Sequence, residues 1–104
     1  MILSTTETIP NREIKEIIGL VEGNTVRTRN VGRDILAILK NLIGGEIHNY
    51  TKLMTLSREE AIDRMVKEAE ELNADAVIGV RITSSTVAQG ASEFLAYGTA
   101  VKLG

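Results

Sequence analysis

The sequence predicts an α+β domain of two layers, a mostly antiparallel sheet carrying two helices on one face. Three observations lead to that class. Strand-like runs open and close the chain while two helical patterns sit together in its middle, giving the order strand, strand, helix, helix, strand, strand. The last two runs, residues 74–83 and 92–103, have no polar face, whereas an antiparallel sheet in a lone small domain usually shows water one polar side. A length of 104 residues fits one domain, 1–104, and buries enough of the unfolded chain's surface for a modest core.

Residues 2–6 are short and β-branched and are followed by Glu7 and the only proline, Pro10, so they read as a brief first strand ending in a turn. Residues 12–21 carry Ile14, Ile17, Ile18, Leu20 and Val21, and Gly23-Asn24 interrupts them before residues 25–28. The pattern allows a hairpin or one long strand broken by a glycine bulge. A helix is the rival over 13–20, because Ile14, Ile17, Ile18 and Val21 also match a 3.6-residue period, but Gly19 and Gly23 count against it.

Asn30 can cap a first helix, in which Ile35, Leu36, Leu39, Leu42 and Ile43 recur at spacings of three and four before Gly44-Gly45 ends it. For the second helix two signals compete. Ser57-Arg58-Glu59-Glu60 has the spacing of a capping box and starts a helix there, with Ala61, Met65, Ala69 and Leu72 as its buried stripe. The same stripe runs back through Met54, Leu53 and Tyr50, which suits a continuous helix from near Asn49. Asn73, tolerant of a left-handed backbone, ends it.

In the closing run Leu95, Tyr97, Thr99, Val101 and Leu103 alternate with Ala96, Gly98 and Ala100, giving one large apolar face and one small one. In the preceding run Ala76, Ile78, Val80 and Ile82 alternate with Val77, Gly79, Arg81 and Thr83. The helices cover one face. The small face, with Gly98 flanked by Ala96 and Ala100, is expected to meet the backbone of a neighbouring subunit, in an interface that also takes in Thr99.

Twelve basic against fourteen acidic residues leave a formal net charge of −2, so no positive field draws nucleic acid or anionic membrane. Tyr50, Phe94 and Tyr97 are the only aromatic residues, too few for a base-stacking platform. The absence of cysteine removes disulfides, thiolate catalysis and zinc fingers. The N-terminus has no basic-then-apolar pattern of a secretory signal, and no apolar run approaches the roughly 20 residues of a membrane span, so a cytoplasmic protein is expected. Hydroxyls are plentiful, but one histidine in an unrelated segment indicates no catalytic triad, and the protein is expected not to be an enzyme.

Ile9-Pro10, Gly19-x-Val21-x-Gly23, Val31-Gly32-Arg33-Asp34, Gly44-Gly45-Glu46, Ala76-Val77-Ile78-Gly79-Val80-Arg81 and Tyr97-Gly98-Thr99-Ala100-Val101 together resemble the YbjQ-like family of small bacterial and archaeal proteins. The resemblance covers nearly the whole chain. It departs where the family commonly reads Gly-Ala-Asn-Ala and this chain has Asn73-Ala74-Asp75-Ala76. The resemblance implies a dodecin-like α+β fold assembled as a homo-oligomeric ring, expected to be a pentamer, and favours the continuous second helix. It also brings a heavy-metal-binding label.

That label meets a poor donor set. Soft metals prefer thiolates and thioethers, and the chain offers one histidine, three methionines and no cysteine. Glu46 and His48 form the only His–carboxylate pair close in sequence, and two ligands do not close a site unless a ring brings copies together. Arg81 is the more telling residue, a charge inside an apolar strand that needs a counterpart. Ion pairing with Asp34, Glu46, Glu68 or Glu93 is the plain account. The sharper one is a pocket between subunits in which Arg81, Tyr50 and Tyr97 bind a small anionic or planar ligand. No cofactor is indicated, and the expected function is that of a ring-forming scaffold or small-ligand-binding module, with metal sequestration as the alternative.

Overall fold

The computed structural model describes residues 1–28, 46–88 and 91–104. Its elements are β1 (Ile2–Leu3), β2 (Ile14–Thr28), α1 (Glu46–Glu71), β3 (Ala76–Ala88) and β4 (Ala91–Leu103). They form an α+β unit, a four-stranded sheet of order β1-β3-β4-β2 with α1 packed on it. The sheet is mixed: β1 runs parallel to β3, while β3–β4 and β4–β2 are antiparallel. The first expected helix, from Asn30 to Gly44-Gly45, lies outside the described residues.

The second run is one long strand and neither a hairpin nor a helix. Its register against β4 slips twice, between Ile14 and Glu16 and again between Ile17 and Gly19, and Gly23 stays in register opposite Ala96. Gly23 has another task. A Cβ there would strike the Ala61 carbonyl oxygen and the Met65 amide and come within 2.7 Å of the Arg64 Cβ, so α1 rests directly on the β2 backbone. Arg64 reinforces the contact by donating to the Asn24 carbonyl while pairing with Glu60 at 2.7 Å.

The helix is continuous through Ser57, which is buried well inside it, so the capping-box reading is corrected. The half-buried Leu53 and Met54 extend the apolar stripe across that point, and the Thr25 hydroxyl donates to the Ser57 carbonyl at 3.1 Å. At its other end the Asn73 amide donates to the Glu70 carbonyl and the Ala74 amide to that of Ala69, with Asn73 at φ 57°. That pair of bonds is a Schellman motif, and asparagine tolerates its left-handed residue. Asp75, where the family resemblance departs, then ties down β4 by donating its amide to the Val101 carbonyl and accepting from the Leu103 amide at 2.9 Å.

Gly79, at φ 61°, sits in a register shift between Ile78 and Arg81 and reverses the alternation of β3. Val77 and Val80 therefore share the helix-facing side, and Ala76 and Ile78 take the other, whereas unbroken alternation puts Val80 with Ala76 and Ile78. The main core lies between α1 and the sheet: Val21, Val77, Val80, Ala96 and Ala100 meet Ala61, Met65 and Ala69. A smaller cluster of Ala76, Ile78 and Val101 lies under Ile9, Ile14 and Leu103. Met65, fully buried, is the largest side chain of the main cluster, and its truncation to alanine removes about 2–5 kcal/mol of stability.

Candidate assembly and ligand surface

Residues directly opposed across antiparallel strands share a face, so the register defines what stands beside what. On the side away from α1, Tyr97 opposes Glu22 of β2 and Arg81 of β3, forming one row across three strands. The next row is Leu20, Thr99 and Ile78, and the one after it Ile17, Val101 and Ala76. Ile17 and Leu20 are 68% and 67% exposed, values far from those of core aliphatics. Among the described residues only the small cluster around Ile9 covers this face.

Arg81 stands at the β3 end of its row. Its Nη1 donates to the Thr5 carbonyl at 2.8 Å and to its neighbour Val80's carbonyl at 2.9 Å. No described carboxylate forms an ion pair with it, so Glu68 and Glu93 do not supply the expected partner, and Asp34 lies outside the described residues, as does the side chain of Glu46. The Thr5 carbonyl is presented by a hydroxyl-laced loop in which the Thr6 amide donates to the Ser4 hydroxyl and the Thr6 hydroxyl to the Thr8 carbonyl. These hydroxyls shape a turn, which explains their density near the N-terminus.

The expected ligand trio is thus only partly assembled by one chain. Arg81 and Tyr97 are direct neighbours. Tyr50 belongs to α1, the layer across the sheet, and its side chain lies outside the described residues. Glu46 and His48 occupy the first turn of α1, and their side chains are likewise outside them. Among the described residues no three His, Asp or Glu side chains converge, and with no cysteine in the chain the donors do not fit a soft metal.

The expected interface set divides. Thr99 is on the open face, but Ala96 and Ala100 are fully buried among Val21, Ala61, Met65 and Ala69. The small-residue face is therefore occupied by the chain's own helix, a correction that follows from the close approach of α1 at Gly23. Gly98 is buried too, and a Cβ there would come within 2.6 Å of the Val77 side chain. Sequence reasoning also missed a cavity of about 220 Å³ beside α1, lined by Met54, Ser84, Ser85, Thr86, Ser92 and Phe94. The run Ser84-Ser85-Thr86 was its only visible signal, and such a run reads equally as strand and turn.

A four-stranded mixed sheet with a helix on one face and, among the described residues, exposed aliphatic side chains on the other defines a small α+β protein. The chain belongs to the YbjQ_1 family, whose description reads "Putative heavy-metal-binding" and whose family model matches residues 1–104. It is similar to UPF0145 proteins of Archaeoglobus fulgidus, 58% identical over 99% of this chain and 95% of that one, and of Thermotoga maritima, 57% identical over 99% and 97%. A UPF0145 protein of Halorubrum lacusprofundi is 59% identical over 99% of both chains. A crystal structure of a protein of unknown function from Pediococcus pentosaceus, assigned to the DUF74 family, matches the fold with a TM-score of 0.61 at 17% identity, covering 100% of this chain and 98% of that one. No helix among the described residues is long and apolar enough to cross a membrane.

Proposed function

We propose that the protein is a non-enzymatic, cytoplasmic scaffold that assembles as a homo-oligomeric ring, a pentamer of dodecin-like subunits. One observation carries this reading: Ile17 and Leu20 project from the sheet face opposite α1, which among the described residues only the cluster around Ile9 covers, and Leu20 shares its row with the half-buried Thr99. Covering a leucine or isoleucine fully is worth roughly 1.5–3 kcal/mol, so several such residues on each subunit favour association. Native mass spectrometry of protein purified without tag or added metal tests the reading. A ring of five subunits is expected, and a single chain at micromolar concentration contradicts it.

A second reading is favoured by Arg81, whose Nη1 is held by two carbonyls while no described carboxylate neutralises it. Here Arg81 and Tyr97, with Tyr50 from a neighbouring subunit, bind a small anionic or planar ligand. If this holds, Arg81→Met leaves the oligomer intact and abolishes the melting shift that phosphate or a small carboxylate produces in the unaltered protein. Loss of assembly in Arg81→Met supports the structural role instead.

A further inference from the structure

Among the described residues the sheet has two free edges that are unlike each other. On one side β2 pairs only with β4, leaving its outer backbone groups without a described strand. On the other side β1 meets β3 only at Ala76 and Val77, and the following bonds, from the Gly79 amide to Thr6 and from the Val80 amide to Ser4, end at Val80. Residues 82–86 of β3 thus have β4 on one side and no described neighbour on the other. Unpaired edges of this kind are templates for another strand.

The row through Tyr97 carries opposite charges at those two edges, Glu22 on β2 and Arg81 on β3. Glu22 is exposed and has no hydrogen bond or ion pair among the described residues. Because β2 and β3 are each antiparallel to β4, they point the same way. Rotating a second copy about an axis along the strands therefore lays its β2 beside β3 and keeps the rows level. At a strand spacing of about 4.8 Å a glutamate and an arginine in one row are within side-chain reach. Such a contact uses two different surfaces, and a contact of that type closes into a ring or runs on as a filament. A two-fold join of β2 with β2 leaves Arg81 unmatched.

We propose that the sheet continues from copy to copy, with β2 of one subunit docking on the free edge of β3 of the next and its Glu22 supplying the counter-ion of Arg81. This rests on the homo-oligomer reading above and names the joint that makes it. The occupant of Arg81's vicinity is then a second copy of this chain rather than a free ligand. Strand addition also explains why a strand as long as β2 is tolerated at an edge, since assembly removes the edge.

Charge exchange tests the proposal. Size-exclusion chromatography with light scattering is run at micromolar concentration on the unaltered protein, on Glu22→Arg, and on the double variant Glu22→Arg/Arg81→Glu, with circular dichroism on each. The expected result is an assembled unaltered protein, a Glu22→Arg variant that is folded yet dissociates at an at least roughly tenfold higher concentration, and a double variant that assembles again. A Glu22→Arg variant that stays assembled like the unaltered protein overturns the proposal, as does one that unfolds, because Glu22 bonds to no described residue of its own subunit. A double variant no better than the single one overturns it as well. A monomeric unaltered protein is a different failure and removes the oligomer reading itself.

Discussion

Gly23 of β2 lies directly beneath Ala61 of α1, so close that a Cβ on the glycine would overlap the alanine's carbonyl oxygen. The overlapping atoms belong to backbone, which cannot turn aside as a flexible side chain can. Gly23→Ala is therefore expected to push α1 off the sheet at a cost of about 2–3 kcal/mol, in the range of overpacked cores. A thermal melt checks this, with a loss of about 10 °C or more expected for a domain of this size.

At Gly79 the constraint is conformational and not steric. Its φ of 61° is left-handed, and nothing lies within 4 Å of where a Cβ would stand. Gly79→Ala is expected to cost about 1–2 kcal/mol and Gly79→Asn less, because asparagine tolerates that region. Equal stability of the glycine and alanine forms in chemical denaturation would remove the bulge that separates Val80 from Ile78.

The buried Thr25 hydroxyl adds a bond to the Ser57 carbonyl across the strand–helix seam. Thr25→Val keeps the shape and removes the donor, so urea unfolding is expected to show a loss of about 1 kcal/mol. A change well above that would mean that the residue carries more than one hydrogen bond.

How much of this was legible in the sequence depended on the range of each signal. The Schellman end at Asn73 and the closing strand pair were readable because a capping residue and a two-residue alternation act locally. The start of α1 was not settled locally: Ser57 carries a true capping spacing, yet burial of its neighbours Leu53 and Met54 along the stripe overrides it. Gly79 shows why face assignment failed in β3, since one left-handed glycine moves every later side chain to the opposite face. Small residues do not state what approaches them: Ala96 and Ala100 pack against α1, whereas Gly98 faces the side chains of Val77 and Val80. Arg81 and Tyr97 were singled out on separate strands, while their adjacency, and Glu22 at the far end of the row, emerge only from the pairing register.

The open face makes a prediction independent of the edges. Leu20 touches the sheet on one side only and is 67% exposed, so Leu20→Glu costs the isolated subunit little. In an assembly that buries this face, the same change places a carboxylate in an apolar contact and is expected to dissociate it. Sedimentation velocity on the variant should show a folded, smaller species.

The most direct measurement of the central claim is the mass of the unaltered protein in solution, determined by light scattering across a dilution series at micromolar concentrations. A discrete species of several chains, five for the expected ring, should persist on dilution. A single chain at every concentration would contradict the claim.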